Sequence, residues 1–126
     1  MDHSLPKDVS IRFLLVEDDT VASIDLECIL EELGHSVTAV AATEGRAAEQ
    51  LQRNPDAIDA AILDADLVGR SSLPVANDLR QRGIPCVIAS EMREQQLRLL
   101  GFEGLTIEKP YSANDVAMAL SRLSAA

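Results

Sequence analysis

Aromatic residues are scarce in this chain: two Phe, one Tyr and no Trp among 126 residues. An aromatic-rich core is excluded, and the interior must be built from Leu, Ile, Val and Ala. Basic residues are outnumbered, 11 Lys and Arg against 21 Asp and Glu, for a formal net charge of -10. Such a surface repels phosphate backbones and anionic lipids, and no basic patch offsets it, so nucleic acid and membrane are excluded as partners. Cysteine is limited to Cys28 and Cys86, with no CxxC spacing. A thiol metal site or a disulfide framework is not supported, and both residues are expected as reduced core positions. No apolar run reaches the roughly 18 residues that a membrane span needs. The polar residues 1–10 lack the apolar stretch of a signal peptide and read as a flexible lead-in. A cytoplasmic protein is the expectation.

What is present is a chain of one-domain length, 47% hydrophobic, in which strand and helix patterns alternate without repeat or linker. Strands are expected at 11–16, 36–41, 59–63, 86–89 and 105–108. Helices are expected between and after them. The first runs from Thr20, as cap, to Leu33, with Val21, Ile24 and Cys28 facing inward, Leu26 and Ile29 as further candidates for that face, and Gly34 as its stop. Further helices are expected at 43–53, 73–82, 93–100 and 112–123, with Thr43 and Ser112 as caps. The fourth is expected to be stunted, because little chain separates Ser90 from Lys109. Five such units give an α/β fold: a five-stranded parallel sheet with helices on both faces.

The strand ends carry the chemistry. The first runs into Glu17-Asp18-Asp19, the third into Asp64, the fourth into Ser90, and the fifth into Lys109-Pro110. In open parallel sheets the ligand crevice lies beyond the carboxyl ends of the strands, so these groups converge. Clustered carboxylates repel one another and need a compensating cation. A hard divalent metal suits them, and a lysine suits an anion bound to that metal. Each signal alone has a plain reading. Acidic residues are common in turns, Asp64 could cap the next turn, Lys109 could lie along a surface, and the Ser90 hydroxyl could bond backbone. Together, and in this order, they point to one site.

An acidic pair after strand one, an Asp after strand three, a hydroxyl after strand four and Lys-Pro after strand five resemble the receiver domain of two-component response regulators. The resemblance covers residues 11–124 of the chain. It implies a flavodoxin-like doubly wound fold of strand order 2-1-3-4-5 and a receiver domain over residues 11–126. It implies phosphorylation of Asp64 by a histidine kinase or histidine phosphotransfer protein. The implied Mg²⁺ ligands are Asp18, Asp64 and the backbone carbonyl of Asp66, with Glu17 acting through water. Ser90 and Lys109 would hold phosphoryl oxygens, and Ser90 and Thr106 are the switch candidates. The final helix ends with the chain, so a stand-alone regulator is expected, signalling to an unknown downstream protein and not acting as an enzyme. Self-association into a homodimer stays open.

Two departures stand out. Receivers usually place a small residue after the strand-four hydroxyl, and here it is Glu91. The strand-five position that often carries a switch aromatic is Thr106. Glu91 motivates an alternative, a degenerate receiver used as a phosphorylation-independent docking module. Asp64-Ala65-Asp66 also resembles the DxD nucleophile motif of haloacid-dehalogenase-type phosphatases, but that motif belongs on the first strand of a longer chain. His3 and His35 form no catalytic constellation, Ser71-Ser72 has no paired base and reads as a helix cap, and no GxxxxGK loop occurs.

Overall fold

A computed structural model describes residues 10–123, so the lead-in expected over residues 1–10 lies almost wholly outside the described residues. Five strands form one parallel sheet: β1 (Arg12–Val16), β2 (Ser36–Ala41), β3 (Ala60–Asp64), β6 (Cys86–Ser90) and β7 (Leu105–Glu108). Their order is β2-β1-β3-β6-β7, which is 2-1-3-4-5 when only the strands of the sheet are counted. Two further strands, β4 (Asp66–Leu67) and β5 (Arg70–Ser71), make a small antiparallel hairpin directly after β3. Among the described residues, five α-helices and one short 3-10 turn (Pro55–Ala57) complete the fold: α1 (Thr20–Glu32), α2 (Glu44–Arg53), α3 (Leu73–Gln81), α4 (Glu94–Leu99) and α5 (Ala113–Ser121).

Alternation along β1 divides the core into two layers. Leu14 and Val16 join Leu63 and Ile88 beneath Leu51, Leu79 and Leu97 of α2, α3 and α4. Phe13 and Leu15 join Ile62 and Val87 beneath Leu26 and Leu30 of α1 and Val116 and Ala119 of α5. Covering both faces is what a parallel sheet requires, and it sets every strand end on one rim of the molecule.

Helix starts follow side-chain capping. Thr43 accepts from the Arg46 N–H (3.2 Å), and Ser112 and Asp115 form a reciprocal capping box on α5. At α1 the cap is Asp19 and not Thr20, because the Asp19 carboxylate accepts from the N–H groups of Val21 (2.9 Å) and Ala22 (3.2 Å). The α1 face meets expectation at Leu26 and Ile29 and differs elsewhere. Ser23, Leu26 and Leu30 are buried, whereas Val21 (74% exposed), Ile24 (56%) and Cys28 lie outward. The two stripes are offset by two residues, about 200° around the helix, so they occupy opposite faces. Cys28 is therefore not a core residue. Cys86 is half-buried, and burial pushes its thiol up to about 12.

The helix α4 has six residues, as short as the sequence suggested. Arg98 ties it to the loop before β7, donating to the carbonyls of Phe102 (3.1 Å) and Gly104 (2.6 Å), and also pairs with Glu94 within the helix (2.9 Å). A Cβ on Gly101, at φ 99°, would lie 3.1 Å from Leu73 Cδ2. The β4–β5 hairpin replaces what reads in sequence as a plain loop. Its tip is Val68-Gly69 with φ angles of 51° and 75°. Gly69 tolerates that region, but a β-branched residue there is a backbone outlier costing about 1–2 kcal/mol.

Candidate functional site

The strand register brings the acidic residues together. Val16 pairs with Leu63, so the residues that follow, Glu17 and Asp64, emerge side by side. Glu17 is fixed by its N–H bond to the Ala41 carbonyl (3.0 Å), and Ala65 by its N–H bond to the Ala89 carbonyl (3.0 Å). One carboxylate oxygen from each of Glu17, Asp18 and Asp64 lies within 4.8 Å of the others. Lys109 is held at the same rim by its N–H bond to the Ser90 carbonyl (2.8 Å). Its Nζ donates to Asp64 Oδ2 (2.7 Å) and Glu17 Oε1 (2.9 Å).

Backbone amides supply the remaining order. Asp64 Oδ1 accepts from the Asp66 N–H (3.1 Å), Glu17 Oε2 from the Asp19 N–H (3.3 Å), and Asp18 Oδ2 from the Val68 N–H (3.0 Å). Ser90 Oγ accepts from the Met92 N–H (3.0 Å), which leaves its own O–H free to donate. These groups line an open crevice of about 650 Å³, together with Glu91, Met92 and Leu100. Glu91 is exposed on its wall.

Electrostatics follow burial and crowding. Burial and the neighbouring Asp64 carboxylate raise Glu17 to about 7, against the opposing pull of Lys109. For Lys109, burial lowers the ammonium pKa, but the hydrogen bonds to Asp64 and Glu17 outweigh it and the net shift is upward. Burial also raises the Tyr111 phenol, which feels the charges of Lys109, Glu17 and Asp64. The donor set, three carboxylates closed by one ammonium, fits a hard divalent cation and does not fit a thiol- or imidazole-binding metal.

The structure brings Glu17, Asp18, Asp64, Ser90 and Lys109 to one crevice. The Asp66 carboxylate is exposed and stands outside the three-carboxylate group, although its backbone borders the crevice. Thr106 lies one strand position in register with Ile88, half-buried, and lines a neighbouring groove with Lys109 and Met118 instead of the crevice. Three participants escaped the sequence reading. Tyr111, two residues past Lys109, is half-buried against the α1–α5 layer. Ser72 is fully buried and donates its hydroxyl to the Asp64 carbonyl (2.5 Å), so it does not cap α3 with that hydroxyl. Val68 acts through its amide alone, which no side-chain pattern can signal.

No family model matches the chain. It is 31% identical over 122 residues to the phyllosphere-induced regulator PhyR of Methylorubrum extorquens, covering 94% of this chain and 45% of that protein. The chain therefore spans less than half the length of that curated relative. Among solved structures, SdrG from Sphingomonas melonis Fr1 is 34% identical with a TM-score of 0.70, over 89% of this chain and 94% of that one. A response regulator receiver protein from Sinorhizobium medicae WSM419 is 26% identical with a TM-score of 0.77, over 90% of this chain and 93% of that one. Sheet order, strand-end residues and these similarities agree: the chain belongs to the response regulator receiver family.

Proposed function

We propose that the chain accepts a phosphoryl group on Asp64 from the phosphohistidine of a histidine kinase or histidine phosphotransfer protein, and signals by protein–protein contact. The observation that carries this reading is the Lys109 ammonium spanning Asp64 and Glu17 at the mouth of a three-carboxylate crevice. An Asp64 oxygen attacks phosphorus as the histidine nitrogen–phosphorus bond breaks, and the imidazole leaves with that electron pair. Each Asp64 oxygen accepts one hydrogen bond in this structure, from the Asp66 N–H or from Lys109, and keeps a second lone pair for the attack. Lys109, released from Oδ2, then pairs with a phosphoryl oxygen, and the free Ser90 O–H donates to another. Glu17, Asp18 and Asp64, with the Asp66 carbonyl, are the groups we assign to Mg²⁺, which when bound supplies charge neutralisation for the incoming phosphoryl oxygens. The rest is positioning and electrostatics, with little acid–base work.

Phosphodonor treatment followed by borohydride trapping and mass mapping tests the assignment. Label is expected on Asp64 and is expected to vanish in Asp64→Asn; label elsewhere, or none on the wild-type chain with a cognate donor, overturns it. Glu91 on the crevice wall favours one second reading, a receiver that docks partners without phosphorylation. Unlabelled wild-type chain that still binds its partner protein would select that reading.

A further inference from the structure

The β4–β5 hairpin is tied down at both ends. At its base, Ser72 donates its hydroxyl to the Asp64 carbonyl (2.5 Å) and its N–H to the Ala65 carbonyl (3.0 Å). At its tip, the Val68 N–H donates to Asp18 Oδ2 (3.0 Å), across 50 residues of sequence. Little else holds that tip. The ladder has two residue pairs, Asp66 with Ser71 and Leu67 with Arg70. The Val68 side chain is 71% exposed, so packing does not compensate for its left-handed backbone at φ 51°. The backbone outlier persists where a neighbouring group over-determines it, and the group in contact is a crevice carboxylate.

We infer that Val68 is a positioning residue for Asp18: its amide fixes the Asp18 carboxylate at the crevice, and that carboxylate in return holds the Val68-Gly69 turn. The inference rests on reading the crevice as a Mg²⁺ and phosphoryl site. A carboxylate has lone pairs enough to serve an amide and a cation together, so fixing Oδ2 restricts Asp18 without blocking it. The hairpin thereby bridges the two acidic strand ends, from the Asp64 carbonyl at its base to the Asp18 side chain at its tip. Groups behind a metal ligand set its orientation, and losing one weakens metal binding about 10- to 100-fold.

Two measurements on the full chain test this. The first is hydrogen exchange of the Val68 amide without added metal. In Asp18→Ala its protection is expected to fall about tenfold, the loss of one hydrogen bond to a charged acceptor. Asp18→Asn keeps an oxygen acceptor and is expected to retain most of the protection. Equal exchange in wild type and Asp18→Ala, or in the Ala and Asn variants, overturns the inference. The second is Mg²⁺ titration. Val68→Pro lacks the N–H and cannot adopt the φ of 51°, so it removes the amide and the turn together and is expected to bind Mg²⁺ about tenfold more weakly. Val68→Gly keeps the N–H and suits the turn, so its affinity is expected within about twofold of wild type. Equal affinities of the Pro and Gly variants overturn the inference, whereas a wild-type chain that binds no Mg²⁺ overturns the proposed function and leaves exchange at Val68 to decide the coupling. Thermal melting of the Pro variant checks that it folds, and the Asp18 pair decides if it does not.

Discussion

Glu91 follows Ser90 on the crevice wall, where a dianionic phosphoryl group would meet a carboxylate. Like charges at the crevice raise the barrier to entry, and a small donor such as acetyl phosphate has no docking energy to offset it. Glu91→Ala is expected to speed acetyl phosphate labelling of Asp64 by about tenfold, the equivalent of about 1.4 kcal/mol in the barrier. Single-turnover labelling separates this from any change in hydrolysis; an unchanged rate would mean that Glu91 turns to solvent. Glu17 offers a second test at this scale. Burial and Asp64 raise its carboxyl to about 7, so ionising it opposes folding. That cost is absent below the ordinary carboxyl range and complete above about pH 7, so stability from this group falls as pH rises through that window. A divalent cation needs the ionised form and relieves the cost. Mg²⁺ is therefore expected to raise the melting temperature more at about pH 8 than at about pH 6. An equal increment at both values would remove Glu17 from the ligand group.

Among the elements, α1 carries the clearest test of packing. Leu30 is fully buried, so Leu30→Ala is expected to cost about 2–5 kcal/mol in denaturant unfolding. Cys28 is exposed on the opposite face, and Cys28→Ser is expected to stay within about 0.5 kcal/mol. The start of β1 depends on His35, whose Nδ1 accepts from the Ile11 N–H (3.1 Å) while its ring packs edge-on against Phe13. Burial lowers the His35 pKa, so folding favours the neutral ring. Its contribution is present above the unfolded histidine value of about 6.5 and is lost as pH falls below it. His35→Ala is expected to cost about 1 kcal/mol at neutral pH and to flatten the acid limb of the stability profile. These elements also show what a sequence can and cannot disclose. Strand ends were legible because apolar runs stop at polar groups: Asp64 and Ser90 are the last residues of β3 and β6, and Lys109 follows β7 directly. The inward face of α1 was not, because the helix carries two apolar stripes and only contact with Phe13 and Leu15 selects between them. The hairpin was hidden because valine is a poor residue for the first position of its turn, and what favours it there is a carboxylate 50 residues away.

Across the whole molecule, the crevice sits where both core layers end, so a change at Asp64 can reach either. Ser90 and Lys109 are joined by a backbone bond (2.8 Å), and β6 pairs with β7 from Val87 to Ser90. Phosphorylation of Asp64 is therefore expected to shift amide resonances across residues 90–115 as Lys109 and Ser90 turn to the phosphoryl oxygens. Shifts confined to residues 64–71 would place the response in the hairpin alone. Thr106 is half-buried and has no aromatic ring, so the response is expected to run through Ser90 and the backbone of β7. The Arg98 tie has a consequence of another kind. One side chain, through the carbonyls of Phe102 and Gly104, fastens a six-residue helix whose buried anchor is Leu97. So short an element can detach while the sheet stays whole. Trypsin, which cuts after arginine, would then nick the native protein after Arg93 or Arg98 well before it reached Arg12 or Arg82, which are braced by Asp59 and Asp78. Of these four sites, the two next to Ser90 would thus be the first to yield to the protease.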